Sequence, residues 1–190
     1  MLSSPELFHT EYGSKKWISA YLLKCFTPPQ RNCAALLTMH FHGISTTEHE
    51  QFLLGGPDAN GQPPLKWRAE GRASPCRHCL GLISPGQEML VLSYRPFVLA
   101  HPYAETGPIF LHASPCKPYD AITAPAWFDF LEPALVRGYG TDNWIRYDTA
   151  RVVAGREIDS ACQAILADSS VAYVHVRSKY NCFQCRVDRA

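Results

Sequence analysis

Short strand-like segments dominate this sequence and limit the folds that are open to it. Residues 88–94, 108–112, 171–177 and 183–189 have the length and the apolar, β-branched or alternating character of strands. Only residues 157–168 combine helical length with apolar side chains at helical spacing. Because strands and helices do not alternate regularly, the pattern predicts an α+β fold. We expect a mainly antiparallel mixed sheet, one clear helix in the C-terminal half and short additional helices.

The beginning of the chain differs from the remainder. Residues 1–38 form an irregular mixture, which we interpret as an N-terminal extension that is poorly ordered or partly helical. An alternating strand pattern then opens at Met39 and is followed by N-cap residues and a short predicted helix over residues 49–54. Because a chain of this length suits one hydrophobic core, we expect a single α+β domain over residues 39–190.

The charge balance excludes several classes of partner. Lys and Arg number 18 against 17 Asp and Glu, which leaves a formal net charge of +1 and no basic surface for a row of phosphates. We therefore expect neither nucleic acid nor membrane as a partner, and a small anionic ligand remains open. No export signal is recognisable near the start of the sequence, so the expected location is cytoplasmic. The oligomeric state does not follow from these features.

Two Cys-x-x-Cys motifs are the sharpest local pattern among the eight cysteines. The motifs Cys76/Cys79 and Cys182/Cys185 have the spacing and the thiolate ligands of a tetrahedral zinc site, so Zn is the one cofactor that the sequence indicates. Residues three apart on a strand point to opposite faces, however, and the surroundings of Cys185 are strand-like. This geometry favours buried structural thiols, and a Cys-Cys bond or redox pair is a third alternative.

Several histidines are candidates for acid-base chemistry. His112 and His175 occupy predicted strands, and His78 lies between two cysteines, so each is a potential metal ligand or general base. Glu105 is the candidate carboxylate partner, which makes His112, His175 and Glu105 the candidate catalytic residues. The alternative is that each histidine only satisfies a backbone carbonyl on a half-buried strand.

Arginines near the ends of predicted strands indicate a second kind of site. Guanidinium groups gathered there bind a carboxylate or a phosphate in bidentate fashion, with tyrosine hydroxyl groups as further donors. The alternative is a buried salt-bridge network that fixes the strands. The predicted ligand-binding residues are Arg77, Tyr94, Arg95, Glu105, His112, His175, Arg186 and Asp188.

Three segments in the same order resemble a known family. They are Pro75-Cys76-Arg77-His78-Cys79-Leu80, residues 93–113 from Ser93-Tyr94-Arg95-Pro96-Phe97 to Leu111-His112-Ala113, and Val171-Ala172-Tyr173-Val174-His175-Val176 with the closing Arg186-Val187-Asp188-Arg189. Over roughly residues 39–190 the chain resembles the domain of unknown function 1203 family. The resemblance implies the domain boundary and implies that these segments matter together, but it implies no particular reaction.

Three functions follow as expectations. The first is a binding or accessory protein with a polar pocket at the strand ends that holds a small molecule or anion. The second is a small enzyme with a His/Glu acid-base site for an anionic substrate, although the sequence lacks the motifs of common hydrolases, kinases and dehydrogenases. The third is a zinc-binding protein that uses the two cysteine motifs.

Overall fold

A computed structural model describes residues 38–190, which contain eleven β-strands, two α-helices and three short 3₁₀ helices. The predicted N-terminal extension falls on residues that lie, except for residue 38, outside this range. The strands are β1 (Met39–His42), β2 (Leu65–Arg68), β3 (Ser74–Pro75), β4 (Leu82–Ile83), β5 (Glu88–Tyr94), β6 (Gly107–His112), β7 (Asp120–Ala121), β8 (Ala134–Tyr139), β9 (Arg151–Val153), β10 (Tyr173–Ser178) and β11 (Phe183–Arg189). The helices are α1 (Thr46–Leu53) and α2 (Ile158–Leu166), and the 3₁₀ helices are Ala126–Phe130, Tyr147–Thr149 and Gly155–Glu157.

The larger sheet has six strands in the order β7-β1-β11-β10-β8-β9, and all its neighbouring strands are antiparallel. Helix α2 covers one face and buries Ile158, Ala161, Cys162, Ile165 and Leu166, the apolar face that the sequence predicts. The Ile and Leu side chains each contribute about 1.5–3 kcal/mol when they leave water, which holds the helix on the sheet.

A smaller sheet has three strands in the order β2-β5-β6, with β5 at its centre as its apolar sequence predicts. Strands β3 and β4 form a separate short hairpin. The connecting loop, residues 76–81, contacts both hydrophobic cores, because Leu80 lies in the core of the larger sheet and Cys76 in that of the smaller. The hairpin loop is therefore the place where the two cores meet.

The segment between β1 and α1 packs tightly on this loop. The backbone N–H of Ile44 donates to the carbonyl of Arg77 at 2.8 Å, and any side chain at residue 43 would collide with the carbonyl oxygens of Arg77 and His78. Only glycine permits that approach. Helix α1 then begins in a capping box formed by Ser45 and Glu48, which fixes the start of the helix.

The α+β class, the mostly antiparallel pairing and the helix in the C-terminal half are confirmed. One predicted hairpin differs in detail. Strands β8 and β9 do pair. Residues 144–150, predicted as strand, instead contain an isolated bridge at Ile145 and the 3₁₀ helix Tyr147–Thr149. The sequence pattern also does not reveal that the strands divide between two sheets. Which strands pair is determined by contacts between residues that are far apart in the sequence.

Candidate functional site

Three cysteines and a histidine converge beside the β3–β4 loop. Cys76 and Cys79 lie in the loop itself, whose turn is closed by a hydrogen bond from the Cys76 N–H to the Gly81 carbonyl at 2.9 Å. His112 is the last residue of β6, and Cys116 follows it in the next loop. The first cysteine motif is thus on a tight turn, as a metal-binding Cys-x-x-Cys requires.

The four potential ligand atoms are close enough to share one ion. All of them, from Cys76, Cys79, His112 and Cys116, lie within 4.8 Å of one another. The Cys79 Sγ is 3.5 Å from His112 Nδ1, and the His112 backbone N–H points at Cys76 Sγ at 3.4 Å. This Cys/His cluster, defined as these four residues, could hold a metal ion.

Two further histidines flank the cluster at Cys116. His49 donates from Nε2 to the carbonyl of His112 at 3.0 Å, and its Nδ1 lies 4.0 Å from Cys116 Sγ. His78 Nδ1 is 3.1 Å from Cys116 Sγ, and His78 Nε2 is 3.1 Å from Thr46 Oγ1. His49, His78 and Cys116 therefore form a second, smaller group of potential ligands that shares one sulfur with the first.

The thiols of the cluster influence one another strongly. A hydrogen bond with Cys79 lowers the pKa of the Cys76 thiol well below its ordinary value, although burial opposes the shift. The same contact, together with burial, raises the pKa of Cys79. Burial and the neighbouring Cys76 raise the pKa of Cys116 to about 11. Without an ion, the cluster thus ionises at one sulfur before the others, as close like charges require.

The predicted four-cysteine site is not what the structure forms. Among the described residues, Cys182 and Cys185 are in neither group of potential ligands, and their places are taken by His112 and Cys116. Cys185 is fully buried in the core of the larger sheet, whereas Cys182 precedes β11 at a half-buried position. The physical reason is that β11 turns the Cys185 side chain into the core of the larger sheet, away from the Cys76–Cys79 loop.

An open cleft of about 560 Å³ lies on the other side of the β1–α1 segment. Its walls come from residues 42–48, from the segment that follows β5, from the loop before β7, and from the central strands β10 and β11. The polar and aromatic residues that line it are His42, Ser45, Thr46, Glu48, Tyr94, Arg95, Phe97, Tyr119, Asp120, His175, Phe183 and Arg186. Four predicted ligand-binding residues, Tyr94, Arg95, His175 and Arg186, meet at this cleft.

His175 is the most unusual group in the cleft wall. It is fully buried among the rings of Phe97, Tyr139, Tyr173 and Phe183, and neither ring nitrogen has a hydrogen-bond partner among the described residues. Burial lowers its pKa well below the ordinary histidine value, and nearby arginines lower it further, so the imidazole is neutral. A neutral imidazole carries one N–H donor and one acceptor, and both are unused here.

The two arginines of the cleft differ in how they are held. Arg186 donates to both carboxylate oxygens of Asp188 at 2.8–3.0 Å, and its guanidinium lies 3.8 Å from the centre of the Tyr173 ring. The Nε of Arg95 is buried without a hydrogen-bond partner, and none of the ion pairs among residues 38–190 includes this arginine. Arg95 therefore contributes an uncompensated positive charge to the cleft.

The carboxylates near the cleft are already engaged. Glu48 accepts bonds from the Ser45 backbone and hydroxyl and from the Tyr94 hydroxyl. Asp120 pairs with His40 at 2.9 Å. Asp188 accepts from His42 and Arg186 and lies just behind the lining residues. Burial opposes ionisation of Asp188, but these bonds outweigh it and lower its pKa to about 2.

Three other predicted ligand-binding residues lie away from the cleft. Arg77 is buried and donates to the carbonyls of Phe183 and Pro75, so it ties the hairpin loop to β11. Glu105 forms ion pairs with Arg137 and Arg177, and His112 belongs to the Cys/His cluster. Glu105 thus belongs to a salt-bridge network of the kind given as the alternative, whereas Arg77 is held by backbone carbonyls and by no acid among the described residues.

Sequence reasoning missed Cys116 and His49. Cys116 stands four residues after His112 in a loop rich in proline, where the sequence shows no second cysteine at ligand spacing. A cysteine soon after a strand-terminal histidine was the available signal. His49 carries no signal in the sequence, because only the packing of α1 brings it to the cluster.

The chain belongs to a family whose model is described as "Protein of unknown function (DUF1203)" and matches residues 73–189, more than half of the chain. The match includes all four residues of the Cys/His cluster but begins after the β1–α1 wall of the cleft. Comparison with curated proteins and with solved structures gives no match. No helix among residues 38–190 is long and apolar enough to cross a membrane.

Proposed function

We propose that the protein binds a small organic anion in the cleft. The observation that carries the proposal is the unused polar capacity of the cleft wall, namely the uncompensated charge of Arg95 and the two unpartnered nitrogens of His175. Leaving buried polar groups without partners costs about 1–3 kcal/mol each. A ligand that supplies those partners recovers the cost on binding.

The shape and the walls of the cleft are consistent with a ligand of modest size. Its volume of about 560 Å³ falls in the range of small-molecule sites, roughly 300–1,000 Å³. Phe97, Tyr119 and Phe183 supply flat apolar surface, and Arg95 supplies the positive charge. This combination favours a ligand with a carboxylate or phosphate attached to a flat apolar part.

The geometry favours binding over acid-base catalysis. The three candidate catalytic residues lie in three different surroundings: His112 at the Cys/His cluster, Glu105 between two arginines, and His175 in the cleft wall. Among the described residues no hydrogen bond joins any two of them. A general base needs a partner or a substrate proton within hydrogen-bond reach, and these three residues are not placed to act together. Among residues 38–190, the histidine of the cleft that a carboxylate does orient is His42, and its partner Asp188 is also bound by Arg186.

Calorimetry with a fixed panel of anions tests this proposal. The probes are benzoate, phenyl phosphate and inorganic phosphate, measured against wild-type protein and against the variants Arg95→Gln and His175→Phe. We expect at least one aromatic anion to bind, and we expect each variant to weaken that binding about tenfold or more, since a charge-assisted hydrogen bond contributes about 1.5–3 kcal/mol. Arg151→Gln, at an exposed position of β9, is the matched control and should bind as wild type does.

Stability separates a ligand-binding role of His175 from a structural one. His175→Phe replaces an unpartnered imidazole by a ring of similar shape among other rings, so the unfolding free energy should rise by about 1 kcal/mol while binding falls. A His175→Phe protein that is less stable than wild type would show that the imidazole serves the fold. Failure of all three anions to bind would also contradict the proposal.

A further inference from the structure

None of the four residues of the Cys/His cluster lines the cleft, and the cluster carries an inference of its own. We propose that Cys76, Cys79, Cys116 and His112 bind one zinc ion in a closed tetrahedral site. Three thiolates and one imidazole are a complete ligand set for a structural zinc ion, and such sites leave no position for water or substrate. Soft sulfur ligands also exclude magnesium and calcium, which bind through oxygen.

The spacing of the ligand atoms supports the assignment. Zinc holds sulfur at about 2.3 Å, which puts neighbouring ligand atoms roughly 4 Å apart. The four atoms already lie within 4.8 Å of one another, and the Cys79 Sγ to His112 Nδ1 distance is 3.5 Å. Small side-chain rotations are therefore enough to seat the ion, and no element of the fold has to move.

Each of the three sulfur atoms has a separate N–H group beside it. The His112 backbone N–H points at Cys76 Sγ and the Gly81 backbone N–H at Cys79 Sγ, both at 3.4 Å. His78 Nδ1 lies 3.1 Å from Cys116 Sγ, and the Thr46 hydroxyl bonded to its Nε2 fits the tautomer that carries the proton on Nδ1. Donors of this kind orient metal-bound thiolates and spread their charge.

The second group of ligands does not compete as a separate site. His49, His78 and Cys116 offer three donors, and they share Cys116 with the first group. His49 and His78 are in addition bonded through Nε2 to His112 and Thr46, which suits residues that support a metal ligand. We therefore assign one ion to residues 38–190.

The site joins parts of the chain that are far apart in sequence. Its ligands come from the β3–β4 loop, from the end of β6 and from the loop before β7. Cys116 is followed closely by Pro118, Tyr119 and Asp120, which line the cleft, and the Tyr119 N–H donates to the His78 carbonyl at 3.1 Å. The ion therefore anchors one wall of the cleft as well as the small sheet.

Elemental analysis of the full chain, purified without added metal, is the first test. We expect one zinc per chain, and X-ray absorption at the zinc edge should show three sulfur neighbours and one nitrogen neighbour. Cobalt exchanged into the site should give the visible absorption of a tetrahedral thiolate complex. Metal-free protein, four sulfur neighbours or a Cys76–Cys79 disulfide found by thiol titration would each overturn the assignment.

A pair of matched variants distinguishes this ligand set from the one that the two cysteine motifs predict. Cys116 and Cys182 are both half-buried, and each is changed to serine. We expect Cys116→Ser to contain no zinc, and its melting temperature should not change when a chelator is added. Cys182→Ser should behave as wild type does, with zinc bound and a melting temperature that a chelator lowers. The opposite result would overturn the assignment. If Cys116→Ser does not fold, the sulfur-to-nitrogen ratio in the wild-type spectrum decides the question alone.

Discussion

The cysteines of the two hydrophobic cores differ in their neighbours. Cys162 and Cys185 lie in the apolar core of the larger sheet, where burial raises the pKa of both thiols, and neither belongs to a group of potential metal ligands among the described residues. Cys76, Cys79 and Cys116 lie beside the smaller sheet, where histidines face them. Cys162 and Cys185 pack as apolar side chains, whereas Cys76, Cys79 and Cys116 belong to a cluster of potential metal ligands. Surroundings, and not the residue type, separate an inert thiol from a potential ligand.

The arginines show the same contrast. Arg177 is almost fully buried, and its Nη2 lies 3.0 Å from the Glu105 carboxylate, without the alignment of a hydrogen bond. Arg137 bonds both oxygens of Glu105 at 2.8 and 3.0 Å. Arg95, in contrast, faces the cleft without an acidic partner among residues 38–190. The arginines paired with Glu105 stabilise the fold, and the unpaired Arg95 at the cleft belongs to the proposed ligand site.

Removing the charge of Glu105 should produce the largest effect. In Glu105→Gln, two arginines lose their carboxylate, and the uncompensated buried charge of Arg177 should lower the unfolding free energy by about 3 kcal/mol. Urea denaturation measures the change. Glu88→Gln, at an exposed position of β5, is the control and should change stability by less than about 0.5 kcal/mol. A Glu105→Gln protein as stable as wild type would show that the ion pairs of Glu105 do not stabilise the fold.

Serine substitutions sharpen the comparison of the thiols. In Cys185→Ser the hydroxyl enters an apolar core without a partner, and the unfolding free energy should fall by about 2 kcal/mol. Chemical denaturation measures this loss, and zinc content should stay unchanged. In Cys182→Ser the side chain remains near water, so the change should be below about 0.5 kcal/mol. If Cys185→Ser lost zinc, the distinction between the buried core cysteines and the cysteines of the Cys/His cluster would be wrong.

A smaller effect is expected from pH at Asp188. Because its folded pKa is lowered from 3.8 to about 2, the carboxylate stabilises the fold fully above pH 4, and that contribution is lost as the pH falls through 4 toward 2. The partly exposed position limits the contribution to about 1–2 kcal/mol. The difference in melting temperature between wild type and Asp188→Asn should therefore be largest above pH 4 and shrink toward pH 2. A difference that is constant with pH would contradict the role of the charge.

Local sequence patterns predicted the elements of this fold well. Residues 88–94 form β5 and residues 183–189 form β11, because their side chains carry the preferences of strands on half-buried surfaces. The apolar face of α2 was equally visible, since it depends only on spacing within one segment. The two-sheet arrangement was not visible, because hydrogen bonding between β5 and β6 or between β10 and β11 depends on residues elsewhere in the chain.

The sequence by itself determined the α+β class, the family resemblance and the presence of unusual cysteines, histidines and arginines, because residue type and local spacing carry that information. It indicated Cys76 and Cys79 as a potential ligand pair and Arg95, Arg186 and His175 as pocket residues. Only the tertiary structure decided that Cys116 and His112, and not Cys182 and Cys185, join the first pair. It also decided that Arg77 and Glu105 are held by internal partners. The physical reason is that a site is defined by distances of a few ångströms between residues tens of positions apart, and such distances are set by packing and not by local sequence preference.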